Sequence, residues 1–555
     1  MSETKDYTQT LQQAIEAIHH RTFFSQFPES PAAEVYGEES DRKGQEAFSK
    51  MLHQEFDELR QPGPAAWVGQ EESPFTQEPL GIRYPFFPAT VLADRAQAAF
   101  HVWRKVKRDS RATLLLQTLD RMRARFFDLA YATMHTTGQS FLMSFQASGP
   151  NAADRALEAI AAGFEELTRF PDEAHWATPM GNYNLKLQKT WKAVPKGVAL
   201  AIGCSTFPTW NTLPGLYASL ITGNAVIVKP HPKSVLPIAI VVAEIQKVLA
   251  ENGLDPLICQ LAVDPDDKLI ARELAEHPAV RIIDYTGSTA FGNYLEGLPN
   301  KTVFTEKAGV NSVILDSMAD LDKVVQNLAF SLCLYSGQMC TAPQNLFVPA
   351  GGVRVGDTQV PYETVVQKLS EAMSGLINNK AVAPHILGAI QNPATVARVK
   401  AMDQLPGQAV LTTCELAHPA FANARLCSPV LYEVEAAHKE VYSRELFGPI
   451  ALVIKTGSTD HSIALAKSLA QEQGAISCGA YTTDAATREK IMDEMGLAAT
   501  PVSFNLTGNI YLNQNASFSD FHVSGGNPAG NASFTNPEFV VRRFTWVGFR
   551  EPVNS

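Results

Sequence analysis

No run in the 555 residues approaches the roughly 18–20 apolar positions that a bilayer-crossing helix needs. Residues 197–203 are apolar but few, and 235–249 are interrupted by Pro237, Glu244, Gln246 and Lys247. The opening Met1-Ser2-Glu3-Thr4-Lys5-Asp6 lacks the apolar centre of a secretion signal, so a cytoplasmic location without a membrane partner is expected. Cysteine is sparse and unpaired in pattern. The seven stand at 204, 259, 333, 340, 414, 427 and 478 with no CxxC, which fits neither a disulfide framework nor a zinc site, and no metal is expected. Positive charge is also short: 46 Lys and Arg against 57 Asp and Glu give a net charge of −11. That balance argues against a nucleic-acid partner, which calls for a basic face, but leaves room for a local phosphate pocket. The GxGxxG dinucleotide fingerprint, internal repeats and low-complexity tracts are absent too.

The composition that is there, 45% hydrophobic and 19% charged, belongs to a globular chain too long for one core. Residues 1–85 are mixed and polar with proline punctuation. Between 91 and 138 apolar residues recur at three- and four-residue spacing (Leu114, Leu115, Leu119, Met122, Phe126), which predicts helix, and 151–169 predict another. From Gly197 onwards strand and helix alternate. Strands are expected at Val198–Ile202, 225–228, 257–263 and 280–285, with Ser234 capping a long helix that stops at Asn252-Gly253. Helical connections of this length imply parallel βαβ units and a doubly wound sheet. A second α/β series runs from Asn311 to about Asn513, with strands at Ser312–Leu315, 345–348, 450–454 and 475–478. Residues 183–193 alternate like a half-exposed strand, and 539–549 read as an edge strand.

Ligands on such a sheet bind at the carboxyl ends of its strands. Directly after 280–285 stands Thr286-Gly287-Ser288-Thr289-Ala290-Phe291-Gly292. There Gly287 permits a tight turn, Ser288 or Thr289 can cap the next helix, and Gly292 allows close helix packing; helix N-termini attract phosphate. Lys229 ends the strand at 225–228 before Pro230-His231-Pro232-Lys233-Ser234, and can reach ribose or phosphate oxygens. Cys340 follows the turn Tyr335-Ser336-Gly337-Gln338-Met339, where backbone N–H groups and a helix terminus could lower a thiol pKa. Glu306, in Phe304-Thr305-Glu306-Lys307-Ala308-Gly309, is a carboxylate at a strand end whose pKa partial burial would raise towards that of a water-activating base. No histidine lies in a motif suited to a paired base.

Lys229, the GSTxxG turn, Glu306, the Cys340 segment and Glu445-Leu446-Phe447-Gly448-Pro449 follow one another in that order. Over roughly residues 90–550 the chain resembles the aldehyde dehydrogenase superfamily, most of all its PaaN-type branch, named for phenylacetate degradation. The resemblance implies an α/β fold with a doubly wound cofactor domain (90–176 and 196–305), a second α/β catalytic domain (306–520), a small β oligomerisation arm, with 177–195 and 521–555 as oligomerisation or bridging segments, and an N-terminal extension (1–89). It implies a homodimer or homotetramer. It implies further that Cys340 attacks a small-molecule aldehyde to form a thiohemiacetal, that hydride passes to NAD or NADP leaving a thioester, and that Glu306 activates the hydrolytic water. Lys229 and Glu445 would hold cofactor ribose groups, Phe447 the nicotinamide end, and Gly287 and Ser288 the pyrophosphate. The branch implies a semialdehyde, CoA-linked or free, from aromatic-acid catabolism; a broad-range aldehyde dehydrogenase and a catalytically weakened binding or structural subunit are the alternatives.

Two departures from the family pattern matter. Cys204-Ser205-Thr206-Phe207-Pro208 places Thr206 where the family has an oxyanion-binding Asn, so either Thr206 or the Cys340 backbone N–H must serve. Pro232 replaces an acidic residue that favours NAD, and the flanking His231 and Lys233 add positive charge, so NADP is the expected cofactor.

Overall fold

The computed structural model describes residues 6–265, 267–512, 517–518, 522–533 and 536–553. The expected end of the second α/β series near Asn513 lies outside the described residues.

Two parallel sheets organise the chain. The first joins β1 (Val198–Ile202), β2 (Ala225–Lys229), β3 (Cys259–Leu261), β4 (Val280–Thr286) and β5 (Thr302–Glu306) in the order β3-β2-β1-β4-β5. These strands are buried on both faces, as their near-continuous Val, Ile and Ala content requires. The second sheet holds β6 (Ser312–Leu315), β7 (Asn345–Pro349), β8 (Gln408–Leu411), β9 (Val430–Glu435), β10 (Ile450–Thr456), β11 (Cys478–Tyr481) and β12 (Val502–Phe504), ordered β8-β9-β10-β7-β6-β11-β12. Only the edge strand β8 pairs antiparallel in it. Separate hydrophobic clusters cover the two faces of each sheet. This is the doubly wound architecture the alternation implied, built twice.

The helices that matter below are α1 (Pro150–Thr168), α2 (Pro208–Ile221), α3 (Leu236–Glu251), α4 (Thr289–Glu296) and α5 (Leu321–Cys333). No described helix is long and apolar enough to cross a membrane. The N-terminal extension is part of the first domain's core, for Tyr7, Ile15, Phe27, Phe48 and Phe56 are buried in the same cluster as α1 and α3. The arm is a three-stranded antiparallel sheet in which Tyr183–Pro195 pairs with both Glu173–Met180 and Phe544–Pro552.

Several local expectations are corrected. Ser234 does not cap α3: its hydroxyl meets Thr136 at 3.1 Å, and the free N–H groups of Val235 and Leu236 donate instead to Glu71 Oε1 at 2.6 and 2.9 Å. A carboxylate brought in from the extension accepts two helix N–H groups at once, which a hydroxyl cannot match. The strand expected at 475–478 lies three residues later, because the Ala475 N–H donates to Asn527 and those of Ile476 and Ser477 to Asn311 before the β11 ladder begins. The span 257–263 is a 3₁₀ turn, Pro256–Ile258, followed by the short β3. Residues 539–549 divide into a helical turn and the strand Phe544–Pro552.

Candidate active site

Strand register brings the expected residues to one edge. Ile202 at the end of β1 pairs with both Lys229 and Tyr285, and Thr286 pairs with Glu306. The loop through Thr206, Lys229, the Gly287-Ser288 turn and Glu306 therefore all leave the same carboxyl end of the first sheet. Cys340 comes from the second domain. After α5 the chain turns through three consecutive left-handed residues, Tyr335 (φ 50°), Ser336 (φ 50°) and Gly337 (φ 64°). Such backbone is costly for Tyr and Ser and persists only when its surroundings hold it. They do: the Tyr335 hydroxyl donates to the Thr137 carbonyl at 2.6 Å, Ser336 to Gly388 at 3.2 Å, and Gln338 to Ala389 at 3.0 Å. A side chain at Gly337 would meet the Gly448 carbonyl oxygen at 2.2 Å. Asn311 completes the clamp by donating to the carbonyls of Cys340 (2.8 Å) and Ala342 (3.0 Å).

Cys340 Sγ, a Glu306 oxygen and a His522 ring nitrogen lie within 4.8 Å of one another. His522 Nε2 meets Glu306 Oε2 at 3.0 Å, with side-chain exposures of 7% and 13%, so the contact is sheltered from solvent. Asn211, in the first turn of α2, donates from Nδ2 to Oε1 at 3.2 Å and to Oε2 at 3.1 Å. The Trp210 ring packs edge-on to His522 at 4.7 Å, and the Arg155 guanidinium of α1 covers Trp210 at 3.8 Å.

Two electrostatic expectations reverse. Burial pushes Glu306 up, but His522, the Cys340 thiol and Arg155 together outweigh it and hold the carboxyl below its ordinary range. The Cys340 thiol is pushed well above its ordinary range, first by burial and then by Glu306. No helix begins at Cys340 to oppose this.

Cavities open on both sides of the Cys340 loop. One, of about 150 Å³, is lined by Met143, Phe207, Trp210, Asn211, Tyr511 and His522 among others and ends on Cys340. Thr206 is not among its lining residues. It is buried just before α2, its carbonyl accepting from Gln139 at 2.7 Å, whereas Asn211 lines the cavity. The second, smaller cavity is walled by Gly309, Gly337, Met339, Glu445 and Phe447. Burial lifts the Glu445 carboxyl to about 7, against the pull of Arg398 and a Gly309 backbone contact.

The remaining predicted residues occupy the first sheet's edge. Lys229 is almost fully buried, ion-paired with Asp264, and donates to the Pro230 carbonyl at 2.9 Å, leaving one N–H uncommitted by these contacts. His231 is half-buried and Lys233 exposed. Ser288 caps α4 by accepting from the Phe291 N–H at 3.5 Å. Gly287 is not left-handed; a Cβ there would strike the Tyr285 hydroxyl at 2.5 Å, so space is what it provides. Gly292 makes room for the Lys307 side chain, which a Cβ would meet at 2.5 Å.

Sequence reasoning missed Asn211 and His522. Asn211 lies five residues past Thr206, and helical geometry beginning at Pro208 turns it into the cavity. His522 lies in 521–555, expected to be an oligomerisation or bridging segment; there Gly530 bridges Glu306 and the Lys307 N–H donates to Ala529 at 2.6 Å, so 522–533 close over β5.

The model of the "Aldehyde dehydrogenase family" matches residues 88–536. A solved NAD-dependent aldehyde dehydrogenase from Burkholderia multivorans is 42% identical and covers 99% of this chain and 98% of its own, with a TM-score of 0.96. N-succinylglutamate 5-semialdehyde dehydrogenase of Chromobacterium violaceum is 28% identical over 67% of this chain and 72% of its own length. The 1-pyrroline-5-carboxylate dehydrogenase from Thermus solved with bound NAD shares the fold at 19% identity, covering 96% of this chain and 99% of its own, with a TM-score of 0.74. The chain belongs to the aldehyde dehydrogenase family and is an oxidoreductase acting on aldehydes.

Proposed function

We propose that this enzyme oxidises an aldehyde to its carboxylic acid through covalent intermediates on Cys340. The observation that carries this reading is the sheltered contact of Cys340 with Glu306 between two cavities. The aldehyde enters the 150 Å³ cavity, whose walls combine Met143, Phe207, Trp210, Leu334 and Tyr511 with the polar Asn211 and His522. The Cys340 sulfur gives up its proton to solvent and bonds to the carbonyl carbon, while Glu306 keeps its charge. The resulting oxyanion is held by the Cys340 backbone N–H and the Asn211 amide. Loss of hydride leaves a thioester on Cys340, which water hydrolyses against the negative charge of Glu306.

The residues around the smaller cavity fit a nicotinamide cofactor: Gly309 and Gly337 leave space, Phe447 offers a ring edge, and Glu445 is a buried acceptor awaiting donors such as ribose hydroxyls. When bound, the cofactor supplies the hydride acceptor. Lys229 would add a ribose contact through its remaining N–H, and the Gly287-Ser288 turn and Gly292 would admit the pyrophosphate at the start of α4. The choice between NAD and NADP turns on α3. His231 and Lys233 tolerate a 2′-phosphate, but the α3 N–H groups that would bind it are already taken by Glu71. We therefore favour NAD, with NADP used more weakly. The ratio of kcat/KM for the two cofactors tests this, and a clear NADP preference overturns it.

For the substrate, no Lys or Arg lines the large cavity among the described residues. That favours an aldehyde with an apolar portion next to the carbonyl. A semialdehyde of aromatic-acid catabolism fits best with its distant carboxylate masked, as in a CoA thioester, which keeps the PaaN-type assignment as the pathway reading. A panel of aliphatic and aromatic aldehydes, free semialdehydes and CoA-linked semialdehydes, followed by absorbance of the reduced cofactor with Cys340→Ala as control, decides it. Highest kcat/KM for the free semialdehydes would contradict the masked-acid reading. The arm exposes Trp176, Met180, Tyr183 and Phe549, an apolar strip suited to burial against a second copy as a homodimer or homotetramer.

A further inference from the structure

Three metal-ligand side chains from distant parts of the chain converge beside the large cavity. Glu306 ends β5, Cys340 stands in the loop after α5, and His522 belongs to the segment that closes over β5. The Cys340 sulfur, a Glu306 oxygen and a His522 ring nitrogen lie within 4.8 Å of one another, and His522 Nε2 is 3.0 Å from Glu306 Oε2. Four-coordinate zinc holding a thiolate, an imidazole and a carboxylate sets those ligand atoms about 3.4–3.6 Å apart, so a contraction of about 1 Å completes the chelate. The ligands are held in advance. Asn311 donates to the Cys340 carbonyl at 2.8 Å, Asn211 donates to both Glu306 oxygens, and the Trp210 ring packs edge-on to His522 at 4.7 Å. A set ordered before binding loses little side-chain freedom when the ion arrives. The charges also close: a thiolate and a carboxylate match the two positive charges of the ion, which leaves the sheltered cluster neutral. Sulfur and imidazole nitrogen select zinc over magnesium or calcium, which prefer oxygen. Cys340 and His522 both line the cavity, so water can supply a fourth ligand from that side.

We propose that Cys340, Glu306 and His522 form a zinc site at which Zn²⁺ reversibly blocks the nucleophile. No CxxC or HxxxH spacing announces it, because the fold alone brings the three together. On binding, the thiol proton leaves to solvent as the sulfur–zinc bond forms. The ring proton moves from Nε2 to Nδ1, which has no hydrogen-bond partner among the described residues, and Nε2 and a Glu306 oxygen give lone pairs to the ion. No electron is transferred. The ion is an inhibitor here and not a cofactor, since a zinc-bound sulfur cannot bond to an aldehyde carbon. Zn²⁺ should therefore compete with the aldehyde and not with the nicotinamide cofactor, whose residues surround the smaller cavity. The block on turnover rests on the covalent reading of Cys340 above; the binding of the ion does not.

The test titrates the EDTA-treated full chain with Co²⁺, whose bond to a thiolate gives a near-ultraviolet charge-transfer band, and then displaces it with Zn²⁺. The band should saturate at about one equivalent, as a single closed ligand set requires. It should vanish in Cys340→Ser and need at least about tenfold more Co²⁺ in His522→Gln. Cys414 is the exposed thiol, and Cys414→Ser should keep the band. In parallel, p-nitrophenyl acetate acylates a reactive thiol without cofactor and reports that acylation as a nitrophenolate burst. Zn²⁺ should abolish the burst in the wild type and EDTA should restore it, a readout that depends on no variant. A band that survives Cys340→Ser, equal Co²⁺ affinity in the wild type and a folded His522→Gln, or a full burst at saturating Zn²⁺ would overturn the proposal. Absence of any burst in the metal-free wild type would instead overturn the Cys340 reading, with the cobalt band still deciding the site.

Discussion

Glu306, beside Cys340 and held by the cavity-lining Asn211 and His522, and Glu445, in the wall of the smaller cavity, are both largely buried and differ in what surrounds them. Glu306 is met by two polar side chains and the Cys340 thiol, and the sum of those contacts favours its charge over burial. Glu445 has Arg398 and one backbone contact, and burial wins. One glutamate is braced as an anion before any ligand arrives; the other keeps acceptor capacity in reserve for a ligand that brings donors. The same residue type thus serves chemistry on one side and recognition on the other, and environment alone sets the division.

The comparison breaks most visibly at Glu306. Glu306→Gln should leave the acylation burst intact and slow steady turnover by about 10²–10³-fold, since it removes the charge that supports water activation. Equal loss of burst and turnover would show that Glu306 acts mainly on the thiol. At Glu445 the expected effect is smaller and lies in binding: Glu445→Gln should raise KM for NAD about five- to tenfold with kcat little changed.

The two carboxyls should also leave opposite marks on stability against pH. Glu306 is lowered in the folded state, so its contribution is present above the unfolded carboxyl range and lost as pH falls through the folded value. Glu445 is raised to about 7, so stability is lost as pH climbs from the unfolded carboxyl range to about 7 and is level beyond. Glu445→Gln should therefore stabilise the ligand-free enzyme by about 1–3 kcal/mol at pH 8 and have little such effect at pH 5, read by thermal denaturation. A gain larger at pH 5 than at pH 8 would contradict the assignment.

What the sequence makes legible follows the same division. Residues at strand ends are readable because period and punctuation locate strand ends: β1, β2, β4 and β5 deliver the Thr206 loop, Lys229, Gly287-Ser288 and Glu306 to one edge. Cys340 is readable through its Gly337-Gln338 turn. His522, Asn211 and Glu71 are not, since each acts through a contact with a residue distant in the chain: His522 lies 216 positions from Glu306, and Glu71 164 from Val235. Charge state was misjudged for a related reason. Burial can be guessed from a motif, but the sum of partners that opposes it cannot.

Glu71 and Thr206 give the smaller tests. Glu71→Ala, which leaves two helix N–H groups unsatisfied beside Lys229, should destabilise the fold by about 1–2 kcal/mol in urea denaturation. A neutral result would mean that solvent or Ser234 takes over the cap. Thr206→Ala should change turnover less than about twofold, because Asn211 and not Thr206 lines the cavity; a loss near 10²-fold would restore Thr206 as an oxyanion donor.

The most direct test is intact-protein and peptide mass spectrometry of Glu306→Gln mixed with NAD and an aldehyde that the enzyme oxidises, quenched within one turnover. A stoichiometric acyl adduct on the Cys340 peptide, formed together with one equivalent of NADH, is the predicted result. NADH formation with Cys340 unmodified, or an adduct on any other cysteine, would contradict the account.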